Sequence, residues 1–201
     1  MENILGIVPD GKAQMADVKT TKGNVAHSVI DKLFSPRDDQ KYVMPEEIQT
    51  RIENEFEKVY TEVLEANGAL LQLSENKLAE KLLHEQLRNC LEALLEILTD
   101  NDLKVTGCER HVEANMNLGL PQAFNEDGTA KERDILGFID MTLEDKDGHP
   151  VVFDFKWTTW SKGYQGLLEN NRSIQLELYR WMLSRQEKNG VERVAYFLMP
   201  D

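Results

Sequence analysis

The segment from Gly137 to Trp157, GFIDMTLE-DKDG-HPVVFDFKW, constrains the fold more than any other part of the chain. Two runs of alternating character flank a turn containing Asp147-Gly148, which is the pattern of a β-hairpin. Odd positions (Ile139, Met141, Leu143, then Val151, Phe153, Phe155 and Trp157) make an apolar face that needs a cover. Even positions carry Asp140 and Thr142, then Val152, Asp154, Lys156 and Thr158. A loop of three residues sets Asp140 opposite Asp154, and a loop of four displaces it by one position. Lys156 falls two residues beyond Asp154 on the same face. Two carboxylates facing each other across a ladder repel by ~0.2–1 kcal/mol. A divalent cation held by hard oxygen ligands would compensate, and a neighbouring lysine could then hold water for attack on a phosphodiester. The plain alternative is a solvent-facing hairpin with ordinary charges, since Asp-x-Lys is a common triplet.

Upstream the period is helical. Residues 1 to about 22 read as polar and irregular. Val25, Val29, Ile30 and Leu33 then form one stripe that Ser35-Pro36 ends. From Pro45, Ile48, Ile52, Phe56, Val59 and Val63 define a longer helix, with Asn67-Gly68 as a left-handed cap. A third helix, Ser74 to Leu98, carries Leu83, Leu87, Leu91, Leu94 and Leu98. The glutamates and lysines between these stripes read as solvated faces.

Beyond Leu98 the period changes. Leu103–Ala114 reads as a strand, 115–134 as a loop, and 158–170, after the hairpin, as a second loop. Ser173 to Lys188 reads as a helix and Arg193–Met199 as a final apolar strand. The expected fold is α/β: a central mixed β-sheet flanked by helices, with an N-terminal helical region. The chain is expected to be a single domain over 1–201, with 23–102 mainly helical and 103–201 the sheet core.

Composition removes several classes of protein. No apolar run approaches the roughly 18 residues of a membrane span, and the N-terminus lacks the pattern of a signal peptide. Cys90 and Cys108 match no zinc or iron–sulfur spacing. The expectation is a soluble cytoplasmic protein with no membrane partner. The net charge of −13 argues against a broad nucleic-acid-binding surface. Its distribution matters, however: Asp38–Glu113 holds 18 acids and 8 bases, whereas Lys156–Arg193 holds 7 bases and 4 acids.

Single residues such as His27, or the Gln175-x-x-x-Tyr179 pair on one helix face, carry little weight alone. Their order carries more: Gly23-x-x-x-His27, Gly137-Phe-Ile-Asp140, Asp154-Phe-Lys156, Gln175-x-x-x-Tyr179. That order, from about Gly23 to Met199, resembles the RecB-like nuclease branch of the PD-(D/E)XK superfamily, found in bacterial helicase–nucleases. The resemblance implies a restriction-endonuclease-like core. It likens Asp140 and Asp154 to the two metal-binding carboxylates and Lys156 to the lysine that orients the attacking water. It likens His27 to an additional metal ligand and the Phe155 carbonyl to a further one. Gln175 and Tyr179 match the helix motif that supports the site and faces nucleic acid.

The activity so implied is a DNA nuclease dependent on Mg²⁺ or Mn²⁺, an exonuclease in repair or recombination. Its partners would be DNA and a helicase domain or subunit of a larger protein, from which the chain looks excised. The cysteines that hold an iron–sulfur cluster in some members of the branch are not matched, so no cluster is expected. Lacking a Gly-x-x-x-x-Gly-Lys-Ser/Thr loop, the sequence is expected to bind no nucleotide. The rival reading is an inactive nuclease-fold module for DNA binding or scaffolding. Glu109 or Glu113 is an alternative further ligand, from their shared parity on the first strand. Trp157, Trp160 and Tyr164 either stack bases or cap the core. Lys156 is expected to lie on an exposed face and to contribute little to stability.

Overall fold

A computed structural model describes residues 17–116, 128–129, 133–170, 172–184, 191 and 193–200. Helices α1 (Val18–Phe34), α2 (Pro45–Asn67) and α3 (Lys77–Asp100, after a 3₁₀ turn at Ser74–Asn76) precede strand β1 (Lys104–Met116). Strands β2 (Arg133–Glu144) and β3 (Pro150–Trp157) follow, then α4 (Ser161–Glu169), α5 (Ile174–Ser184) and β4 (Arg193–Met199). The sheet order is β1-β2-β3-β4, antiparallel at the first two junctions and parallel at the last. The expected mixed sheet with flanking helices is present.

α1 is the helix around which the larger core forms. Val25, Ala26, Val29, Ile30, Leu33 and Phe34 are all fully buried. They pack with the α2 stripe, the α3 leucines and the sheet residues Met141, Leu143, Val151, Phe153, Phe155 and Trp157. A second, smaller core joins Val112, Ala114, Ile135, Ile139 and Val152 to Tyr179, Met182 and Leu183 of α5. The helical region therefore covers one face of the sheet and α5 covers part of the other.

Several local expectations need correction. α1 begins at Val18, within the segment read as irregular, because Asp17 caps it by accepting the Thr20 N–H at 2.6 Å. Gly68 is not left-handed (φ −105°). Glycine is needed there for close approach, since a Cβ would lie 2.5 Å from Leu64 Cδ1. α4 occupies the segment read as a second loop. Its two glycines argue against a helix, but the Trp160 ring lies directly on Gly163 and Tyr164 packs on Tyr196 at 4.9 Å. Strands β1 and β2 extend into the segment read as the 115–134 loop; the rest of that loop, apart from 128–129, lies outside the described residues, as do 1–16 and the predicted helix end at 185–188.

One charged helix residue is not solvated. Arg51 is 2 % exposed and donates to the Leu33 and Ser35 carbonyls at 3.1 and 2.7 Å, closing the C-terminal end of α1. Glu47 accepts from it at 2.6 Å.

Candidate active site

The hairpin register is that of the three-residue loop. Asp145 N–H donates to the His149 carbonyl, and Gly148 takes the left-handed conformation at φ 82° that closes the turn. Thr142 pairs with Val152 and Met141 with Phe153, and there the regular β2–β3 pairing ends. At the next position Asp140 Oδ2 accepts the Phe155 N–H at 2.5 Å, so a side chain continues the connection between the strands. The apolar alternation steps over at the same place. Met141 and Leu143 belong to the core under α1, whereas Ile139 belongs to the core under α5. The expectation of one continuous apolar face from Ile139 onwards is thus corrected.

β1 breaks at the matching point. Cys108 pairs with Met141 and Arg110 with Ile139, leaving Glu109 unpaired at φ 46°. A non-glycine residue rarely adopts this conformation, and such strain collects at functional sites. The consequence is that the Glu109 carboxylate meets His27 on α1, with Oε1 3.2 Å from Nδ1. Asp140 Oδ1 lies 3.7 Å from the same nitrogen. Ligand atoms of His27, Glu109 and Asp140 all fall within 4.8 Å of one another. Of the two glutamates of equal parity, Glu109 is the one brought to this cluster.

Asp154 is fully buried, which removes the reading of the even hairpin face as solvent-exposed. Its Oδ1 accepts from Gln175 Nε2 at 2.7 Å, and Gln175 Nε2 also donates to Tyr179 OH at 3.0 Å. Gln175 and Tyr179 stand one turn apart on α5. Gly137 makes room for the tyrosine, as a Cβ there would lie 3.3 Å from Tyr179 Cε1. Lys156 Nζ forms an ion pair with Asp154 Oδ2 at 2.6 Å.

Burial dominates the electrostatics. It pushes the Asp140 carboxyl up to about 6, with His27 opposing and Asp154 reinforcing the shift. Burial also raises Asp154, against the pull of Lys156. Burial disfavours charge on His27, but the Glu109 hydrogen bond and the Asp140 carboxylate outweigh it and raise its pKa. Lys156 follows the same pattern: Asp154 outweighs burial and holds the ammonium charged.

A cavity of about 740 Å³ opens over these groups, lined by His27, Glu109, Phe155 and Lys156 together with Thr20 and Asn24 of α1. Of the residues singled out from the sequence, His27, Phe155 and Lys156 line the cavity; Asp140 approaches His27, Asp154 pairs with Lys156, and Gln175 links Asp154 to Tyr179. Phe155 meets Asp140 through its N–H and packs edge-on to the His27 ring at 5.7 Å. Trp157 is a core residue, while Trp160 is 60 % exposed. Sequence reasoning underrated Glu109, because its role depends on a backbone conformation that no side-chain period signals.

Carboxylates from two central strands, a lysine and a histidine-bearing helix come together here, a donor set that suits a divalent cation. The family model of the PD-(D/E)XK nuclease superfamily matches residues 1–201, and the chain belongs to that superfamily. Comparison with curated proteins returns no match. Among the described residues, no helix is long and apolar enough to cross a membrane.

Proposed function

We propose that this protein is a DNA nuclease of the RecB-like kind, built as a single domain over 1–201 and acting as an exonuclease in repair or recombination. In this reading His27, Asp140, Asp154 and the Phe155 carbonyl hold Mg²⁺ or Mn²⁺, with Glu109 as a further ligand. The donor set fits such an ion: the His27 imidazole and the carboxylates of Glu109 and Asp140 offer ligand atoms within 4.8 Å of one another. That convergence is the observation that carries the proposal. A divalent cation held there would supply an activated water and offset phosphate charge.

The chain's own residues do the rest. Lys156, kept charged by Asp154, orients the attacking water and balances the negative charge that develops on the phosphate oxygens. Water oxygen bonds to phosphorus as the bond from phosphorus to the 3′ oxygen breaks, leaving a 5′-phosphate and a 3′-hydroxyl. Gln175 and Tyr179 keep the Asp154 carboxylate in one orientation. A helicase domain or subunit would deliver the strand in the cytoplasm, and no nucleotide or iron–sulfur cluster takes part.

The net charge of −13 favours a second reading, an inactive module for DNA binding or scaffolding. End-labelled single-stranded, linear duplex and circular DNA, assayed with Mg²⁺, Mn²⁺ or EDTA, separate the two. Metal-dependent cleavage that Asp154→Ala abolishes is the expected result, with circles spared. Salt-sensitive DNA binding without cleavage of any substrate would establish the second reading instead.

A further inference from the structure

The β1–β2 ribbon continues past the His27–Glu109–Asp140 cluster, and among the described residues one of its faces carries exposed apolar side chains. Val112, Ala114, Ile135 and Ile139 turn towards α5. The alternate residues therefore face the side on which Glu109 and Asp140 meet His27. On that side Phe138 is 57 % and Leu136 51 % exposed. His111 pairs directly with Phe138 across the ladder, and their rings stand 5.1 Å apart at 58°. Phe138 is two residues from Asp140 on β2 and His111 is two residues from Glu109 on β1. Each is about 7 Å along its strand from the cluster.

We propose that Phe138, backed by His111, is a base-stacking shelf that positions an unpaired nucleotide next to the phosphate held at the His27–Glu109–Asp140 cluster. This inference rests on the nucleic-acid reading of the site and adds a preference for single-stranded or frayed substrate. The chemistry of the surface selects the base over the backbone. Away from a bound cation the carboxylates of Glu109 and Asp140 repel a phosphate, whereas an aromatic ring takes the neutral face of any base. A paired, stacked base does not offer that face, which is why the strand must be open. A protein partner is disfavoured by size. One phenylalanine and one leucine fall well short of the roughly 800 Å² per partner of a stable interface.

The test is binding of the full chain to labelled single strands in EDTA and in Ca²⁺, using a strand with all its bases and a matching abasic strand. Phe138→Ala is expected to weaken binding of the intact strand roughly 5- to 100-fold and to leave the abasic strand unchanged. Phe138→Trp should restore affinity, with its fluorescence quenched by the intact strand only. Equal weakening for both strands, or no change for either, would overturn the shelf while leaving the nuclease reading intact. No binding of any strand by the wild type would overturn both. A dimer in sedimentation that Phe138→Ala dissolves would assign the face to a second copy and likewise overturn the proposal. Base-dependent binding by a wild type that cleaves no strand in Mg²⁺ or Mn²⁺ would support the shelf and count against the catalytic reading alone.

Discussion

Glu109 reaches His27 at 3.2 Å only because its own backbone sits at φ 46°, a conformation in which its neighbours on β1 keep their pairing with β2. Left-handed geometry at a non-glycine residue costs of order 1–2 kcal/mol. Position 109 therefore exchanges some stability for a carboxylate in the cluster. Glu109→Gly relieves the strain and removes the ligand atom. The expected outcome is an unchanged or slightly raised melting temperature, together with divalent-metal affinity at least about tenfold weaker by calorimetry. Unaltered metal affinity would remove Glu109 from the proposed ligand set.

Asp140 gives the pH dependence of the metal-free protein. Its pKa is raised from 3.8 to about 6, so between those values the folded state binds more protons than the unfolded state. The contribution of Asp140 to folding stability accordingly falls as pH rises through that window. Asp140→Asn keeps an acceptor for the Phe155 N–H and removes the buried charge. In EDTA above pH 6 the variant should be more stable than wild type by about 1–3 kcal/mol, and the gap should close towards pH 4. Urea denaturation at several pH values measures this. A gap that widens on acidification would mean that Asp140 is stabilised as a carboxylate.

Much of this architecture is legible in the chain because its hydrophobic periods are clean. The leucines of α3 are buried as their spacing requires, and the apolar odd positions of β3 all join the larger core, although the strand is buried on its other face too. The motif residues are singled out by their order along the chain and the resemblance it carries, because the hairpin charges alone fit a plain solvated face as well. What escapes is whatever tertiary context decides. Glu109 depends on a backbone irregularity, and Arg51 depends on carbonyls from another helix. α4 forms in spite of its glycines because Trp160 and Tyr196 supply its packing. The step in alternation at Asp140 could not be read either, because period-2 logic assumes an unbroken strand.

Lys156 is not the lightly engaged surface lysine that its position in a hairpin suggests. Its side chain is only 24 % exposed and faces an Asp154 side chain that is 1 % exposed. Lys156→Ala leaves a buried carboxylate without its counter-charge, a change that costs about 3–5 kcal/mol when the charge stays unpaired. Loss of cleavage in this variant alone would therefore mix mechanism with stability. Urea denaturation of Lys156→Ala beside Lys156→Ala/Asp154→Asn isolates the stability effect: the double variant should recover most of the lost stability. Lys156→Ala assayed where it is still folded should not cleave, and cleavage there would show that Lys156 serves only to neutralise Asp154.

Gln175 is a positioning residue, since it acts on the reaction through Asp154. Its amide donates to Asp154 Oδ1 at 2.7 Å and to Tyr179 OH at 3.0 Å, so one nitrogen links the carboxylate to the next turn of α5. Gln175→Leu removes both bonds and retains most of the volume. It leaves Asp154 Oδ1 without this donor, at a cost to stability of about 1–3 kcal/mol. A purely structural role predicts reduced stability with normal turnover in the folded fraction. The positioning role predicts more: kcat lower by at least about tenfold with KM for DNA little changed, and a rise in the metal concentration needed for half-maximal rate. Gln175→Asn carries the same amide on a shorter arm, so lengthening that contact should give an intermediate loss. If kcat in the leucine variant matches wild type at saturating metal, the Gln175–Asp154 bond belongs to the fold and not to the chemistry.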